Sequence, residues 1–583
     1  MALRLLLVVA VVILSLGQMS CAAEIILRGS DTPPRSGLRP KVAPGLGRRQ
    51  FLEALNSTNA TMQNSTLTDS NSVVVPVSLA ADGQSYYIVI KAGNTFFRAA
   101  LDTASADLWL VASSCKSPAC VPAPKYQLGY ESGTFKSVNA NQTVFQTSFA
   151  DGTAASGFVG YETVQISNLT IPDQAFGVVT STNVSSTDQI SGVMGLGFPR
   201  LSNIFNTVVN ATPILATMSQ RGQLDYPLFG LSLTRNSSGS LTFGAIDGSV
   251  VKNPSLIEWN EVVPFAPFNS ENNVSSYLEW AIPMNGLLVN GTELSPVPTY
   301  PTATSNQTLA LFDVGTSGIF GPYQDVTRIF GQIDGSRLVS DGQWAVPCDA
   351  NETMAFRFGR TTFVLEPTDY LIGPAAGNPN LCLSWPRAAP PSSDGVDWQL
   401  GSPFMRTVYS IFSLGIDTKE PPMIGLYPLR NATAPVQPFG EVQMFFSIAS
   451  ETVATTLPNF PLSTPSFTTP PYIFNSSVPA PVGEIVSSGL ATSTYSAALG
   501  VHRPNATAIP TITPSPTLAT FLITDPAGHI VTSISTALQA SITLGQPPGW
   551  SGASMAMLFP GRTALFQCIL PLLLSFLATF HFS

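Results

Sequence analysis

Two short stretches each place a carboxylate on a polar turn directly after an apolar run: Leu101-Asp102-Thr103-Ala104-Ser105, and Phe312-Asp313-Val314-Gly315-Thr316-Ser317. A second element follows each in the same order and at near-equal spacing. It is Val193, Met194 and Gly195 in the first case and, more weakly, Gln399, Leu400 and Gly401 in the second. The repeat implies a duplicated lobe, each half offering one carboxylate to a shared cleft. Two carboxylates held close cannot both ionise, so one pKa is pushed up and the pair shares a proton. Such a pair suits general acid–base work, one member ionised and the other protonated.

Other chemistries are excluded by residues that are missing. The three histidines are His502, His529 and His581, so residues 1–500 lack imidazole altogether. This removes Ser/His/Asp and Cys/His nucleophilic catalysis, the HExxH zinc helix and most His-ligated metal sites. No metal and no cofactor are expected. The net charge of the 583 residues is −9, and residues 1–50 hold 7 of the 26 Lys and Arg but only 2 of the 35 acids. The remainder is therefore more acidic than the whole, and a nucleic-acid partner is not expected, since little basic surface is left to neutralise phosphates.

The elements that must position the carboxylates are strands. From Val73 the chain runs through short β-branched and aromatic segments such as SYYIVIKAG, FFRAALDT and GFVGYETVQI, broken by Gly, Asn and Asp. This pattern predicts a mainly β body extending to about residue 440, with helices only at residues 203–210 and 324–332. The chain is divided as follows: 1–23 signal peptide, 24–72 propeptide or spacer, 73–262 N-terminal β lobe, 263–440 C-terminal β lobe, 441–550 Ser/Thr/Pro-rich stalk, and 551–583 anchor segment. Dense Ser, Thr and Pro read as an O-glycosylated stalk, although FLITDPAGHIVTSI within it alternates enough to form a hairpin.

Both ends carry targeting patterns. Arg4 precedes an apolar run over residues 5–16, followed by the small residues Cys21, Ala22 and Ala23, the order of a cleaved secretory signal. Residues 564–580 are apolar, no Lys or Arg follows them, and Ser551, Gly552, Ala553 and Ser554 lie one spacer upstream. This fits a lipid-anchor signal with Gly552 as the attachment candidate, and a single-span helix is the alternative. Membrane contact is expected only through this anchor. Fifteen N-x-S/T acceptors, among them Asn141, Asn290, Asn351 and Asn431, fit heavy surface glycosylation. Outside the terminal segments the cysteines are Cys115, Cys120, Cys348 and Cys382. An even count in an oxidising compartment implies two disulfides. Of the three pairings, the local one, Cys115 with Cys120 and Cys348 with Cys382, needs no long-range crossing. The dibasic pair Arg48 and Arg49 is the leading candidate for propeptide cleavage.

At the two Asp turns the sequence resembles the pepsin-like aspartic endopeptidases, over about residues 75–430. The likeness includes Asp107-Leu108-Trp109, the loop over residues 115–120, GVMGLGF at 192–198, VPCD at 346–349, LCLSW at 381–385 and LGSPFMRTVYSIF at 400–412. Signal, stalk and anchor pattern further resemble the yapsin-type fungal cell-surface members. The resemblance implies a bilobal fold with a central cleft and Asp102 and Asp313 as the catalytic pair. Thr103, Ser105, Gly315 and Thr316 would support that pair, and a flap carrying Phe149, Gly152 and Thr153 would cover it. It also implies an extended peptide as substrate, a monomer, and hydrolysis by an activated water, with the proton passing to the leaving amine. Three positions depart from the family pattern: Ala104 stands for a Gly, Val314 for a Thr or Ser, and Phe149 for the flap Tyr. Ser402 stands where the family often has an Asp. A non-catalytic peptide-binding glycoprotein of the same fold is the alternative reading.

Overall fold

Between Val73 and Asp102 the chain forms three successive antiparallel strands, Val73–Leu79, Tyr86–Ala92 and Thr95–Asp102, each of which buries alternate, mostly apolar side chains. The computed structural model describes most of residues 71–449 and parts of 457–549. These three strands belong to a 14-stranded sheet. On one side it continues through Ile190–Gly195, Leu108–Val111, Leu169–Thr182 and Ala154–Ile166. On the other it runs through Gly239–Phe243, Leu228–Ser232, Val408–Ser413, Met423–Pro428 and Glu258–Glu261. Val408–Ser413 and Met423–Pro428 fall in the second half of the sequence, yet Val408–Ser413 hydrogen-bonds to Leu228–Ser232 of the first. The two halves thus share one sheet.

Each half repeats one three-strand unit. Thr95–Asp102 pairs in parallel with Ile190–Gly195, which pairs antiparallel with Leu108–Val111. Correspondingly, Thr308–Phe312 pairs in parallel with Val396–Leu400, which pairs antiparallel with Ile319–Pro322. In both, the segment after the Asp turn crosses closely over a glycine. A Cβ on Gly195 would lie 2.4 Å from the Ala106 carbonyl carbon, and one on Gly401 would lie 2.1 Å from Thr316 O. No side chain fits at either crossing. The mainly β, bilobal expectation is met.

Trp280 ties the halves together beneath the shared sheet. Its fully buried ring lies 4.2 Å from that of Phe198 and meets Phe229 and Phe412 edge-on, and its Nε1 donates to Leu196 O at 3.0 Å. Tyr323–Phe330 forms a helix close to the one expected at 324–332. The helix expected at 203–210 is absent among the described residues, which are turns there. Asn203 N is held by Asp107 Oδ2 at 2.8 Å, and Ile204 O accepts from Val208 N at 2.8 Å and Thr207 N at 3.0 Å, so a single turn forms here. A helix forms instead at Ile214–Gln220, after Pro213.

The Ser/Thr/Pro-rich stretch returns to the body at several points. A helix, Phe439–Ala449, packs Val442 inward. Leu457 joins a cluster with Val339, Ala345, Ala375 and Leu383. Phe467 meets Tyr323, and Tyr472 meets Tyr300. Further on, Tyr495 donates to Leu224 O at 2.9 Å, Thr511-Ile512 pairs in parallel with Ile246-Asp247, and Gly545 N donates to Phe96 O at 2.9 Å. Scattered, mostly apolar residues make these contacts. Taken by itself, the segment suspected of forming a hairpin does so: Leu518–Thr524 pairs antiparallel with Ile530–Thr536. Among the described residues no helix is long and apolar enough to cross a membrane.

Candidate active site

Each Asp leaves the end of the first strand of its three-strand unit. Asp102 lies opposite Gly195 in the parallel register, and Asp313 N donates to Leu400 O at 3.1 Å. The turns that follow grip the carboxylates in matching ways. Ala104 N donates to Asp102 Oδ1 at 2.9 Å and Ser105 Oγ to Asp102 Oδ2 at 2.5 Å. Gly315 N donates to Asp313 Oδ1 at 2.9 Å and Thr316 Oγ1 to Asp313 Oδ2 at 2.6 Å. A Cβ on Gly315 would stand 2.9 Å from Asp102 Oδ1 and 3.2 Å from Asp313 Oδ1, so both carboxylates converge on that residue. Burial first, and then the neighbouring charge of Asp313, push Asp102 up to about 7.

This pseudo-symmetric pair sits within a stretch matched by a family model described as eukaryotic aspartyl protease, over residues 85–419. The chain belongs to that family. It is 28% identical over 335 residues to an aspartic protease of Phaffia rhodozyma, covering 56% of this chain and 73% of that one. It is 27% identical over 399 residues to major aspartyl peptidase 1 of Cryptococcus neoformans, covering 64% and 76%. Pregnancy-associated glycoprotein 2 of Bos taurus is 30% identical over 321 residues, covering 54% and 75%. An aspartic-protease type of hydrolytic function follows from the family.

Around the pair, this aspartyl protease keeps half of a reciprocal contact between its lobes. Thr103 Oγ1 donates to Phe312 O at 2.9 Å and accepts from Val314 N at 3.0 Å. Val314 is fully buried and has no hydroxyl to return the contact. Below the first turn, Asp107 accepts from Ser202 Oγ at 2.5 Å and from Asn203 N at 2.8 Å, while burial still raises it to about 6. Ser402 is buried, and its N–H donates to Thr316 O at 2.8 Å.

Phe149, Gly152 and Thr153 lie together on one tight turn. Phe149 N donates to Thr153 O at 2.8 Å, Gly152 N donates to Phe149 O at 3.0 Å, and Gly152 has a φ of 83°. Asp151 Oδ1 accepts from Thr153 N and Thr153 Oγ1, so an aspartate helps hold the turn. The Phe149 ring is partly buried against the cluster containing Trp109. Both disulfides form as expected, Cys115–Cys120 and Cys348–Cys382. Gly552 lies outside the described residues. Among the described residues no cluster of metal-ligating side chains occurs.

Two residues near Asp313 have contacts the sequence reading did not assign, Gln399 having entered it only as part of the repeat. Gln399 Nε2 lies 3.1 Å from Asp313 Oδ2 and 2.6 Å from Thr316 Oγ1. The available signal was its polarity where the first half has Val193. Glu279 has its Oε2 buried with no hydrogen-bond partner, and burial, Asp394 and Asp313 together raise it to about 8. Nothing in the sequence distinguishes it from a surface acid.

Proposed function

We propose that the chain is an exported endopeptidase that hydrolyses extended peptides at acid pH through a water activated by Asp102 and Asp313. The observation that carries this reading is the convergence of two similarly gripped, mostly buried carboxylates on Gly315. One carboxylate takes a proton from the water as it attacks the scissile carbonyl. The other donates to the carbonyl oxygen, and the shared proton then passes to the leaving amine. Ala104 keeps the backbone donor that the family glycine would supply. The turn at Phe149 would cover the substrate with a ring that has no hydroxyl.

Purified protein lacking residues 551–583 should cleave a peptide library at acid pH and be blocked by a statine-type mimic of the tetrahedral intermediate. Asp102→Asn and Asp313→Asn should each lower turnover by roughly 10²–10⁴-fold while the protein stays folded. Unchanged cleavage in either variant would remove that residue from the reaction. No cleavage by the unmodified protein, with retained peptide binding, would leave the alternative of a peptide-binding glycoprotein, which the missing hydroxyl at Val314 favours.

The same reading places the protein at the cell surface in the manner of yapsin-type members, with a cleaved signal and a glycolipid at Gly552. Two disulfides support an oxidising compartment, and Asn141, Asn168, Asn183, Asn290, Asn306, Asn351 and Asn431 are all exposed acceptors. Asn71 O accepts from Asp225 N, and Ser72 Oγ donates to Asp225 Oδ2. The body therefore begins no later than Asn71, which leaves cleavage after Arg49 open to a propeptide. Recovery of tail peptides containing Cys568 from mature surface protein would refute the glycolipid.

A further inference from the structure

The donors around the two carboxylates are not equal in number. Asp102 accepts from Ala104 N and Ser105 Oγ. Asp313 accepts from Gly315 N and Thr316 Oγ1 in the same way, and also from Gln399 Nε2. The orientation of the Gln399 amide follows from proton counting. Thr316 has one hydroxyl proton, and it is donated to Asp313 Oδ2, so Thr316 Oγ1 can only accept at 2.6 Å from Gln399. The amide nitrogen, not its oxygen, must therefore face the pair, and its second proton is free for Asp313 Oδ2. In the other half of the repeat this place is held by apolar Val193, which pairs with Ala100 as Gln399 pairs with Leu311.

We propose that Gln399 is a positioning residue that holds Asp313 as the ionised member of the pair and so leaves the shared proton on Asp102. This rests on the reading of Asp102 and Asp313 as the reacting pair. An amide N–H stabilises a carboxylate that accepts from it and has nothing to offer a protonated oxygen that must itself donate. The protonated member is then the one with fewer donors. Asp102 is accordingly the group that donates to the carbonyl oxygen, and Asp313 is the group that takes the proton of the attacking water.

The titratable groups that face Asp313 are Asp102 from the opposite turn and Glu279 from the segment before Ala281–Met284, with Asp394 beyond Glu279. Glu279, raised to about 8, is neutral across the acid range and adds no charge that would mask the effect.

The test is Gln399→Met, close in length and volume but without a donor, with thermal unfolding to check the fold. Losing a donor to the ionised form makes the singly ionised pair harder to form. The acid limb of kcat/KM should therefore move up by about one pH unit, with about tenfold lower kcat/KM below that limb. At the plateau the change should be small, which a merely structural loss would not produce. An acid limb in its original place in an active, folded variant would overturn the proposal. A second measurement needs neither turnover nor the variant. In the unmodified protein, ¹³C carboxyl titration, assigned by difference with Asp102→Asn and Asp313→Asn, should give the first ionisation to Asp313. If it belongs to Asp102, the proposal fails, whether or not peptides are cleaved. If instead neither Asp→Asn change affects cleavage, the pair itself has been misassigned.

Discussion

Thr103 and Val314 meet across the lobe boundary through a single hydroxyl, which accepts from Val314 N at 3.0 Å and donates to Phe312 O at 2.9 Å. Thr103→Val should strand a buried N–H and a buried carbonyl together, at a cost of about 1–3 kcal/mol. Thr103→Ser, which keeps the hydroxyl, should lose much less. Denaturant unfolding of the two variants separates the hydroxyl from the methyl group.

Stability should fall as pH rises. Asp102, Asp107 and Glu279 all have folded pKa values above their ordinary ones, burial being the first cause in each. A carboxylate with a raised folded pKa binds its proton more tightly when folded. Its contribution is complete below the unfolded pKa and is lost as pH rises through the folded one. The window from about 4 to about 8 should therefore show a steadily falling Tm. A Tm that rises across it would contradict these assignments.

The disulfides should differ in value. Cys348–Cys382 closes a separation of 34 residues and Cys115–Cys120 one of 5. The chain-entropy model gives the longer loop the larger effect, roughly 2–4 kcal/mol. Paired Cys→Ser replacements compared by thermal unfolding should rank in that order.

Glu420 anchors the returning C-terminal stretch. Its Oε2 accepts from Tyr226 Oη at 2.6 Å, Ala498 N at 3.0 Å and Leu499 N at 2.7 Å, all buried. Glu420→Ala should leave three donors without that acceptor and expose residues 495–512 to limited proteolysis. Continued protection of that stretch would mean that Tyr495 and the Thr511-Ile512 pairing suffice to hold it.

The Asp turns and their strands were legible because their order repeats. An apolar run, Asp, a small polar turn and a later glycine recur in both halves, and each part has a physical reason that composition cannot hide. The helix Ile214–Gln220 was not legible. Six of its seven residues are buried, so no polar face marks a helical period. The docking of single residues between 457 and 512 was hidden in another way. Its contacts are single residues such as Leu457, Tyr495 and Leu499, spaced too widely to form a pattern. The places of Gln399 and Glu279 beside Asp313 were not legible, because only the folded chain shows what lies next to them.

The shared sheet also orders the events of synthesis. Leu228–Ser232 is a wholly buried strand whose partner, Val408–Ser413, emerges only after almost all of the second lobe. Until then one edge of the nascent first lobe has a row of unpaired backbone groups, open to any other strand. Long-range pairing of this kind is slow to form. The early-made half must wait for a strand that the ribosome delivers near the end of the body.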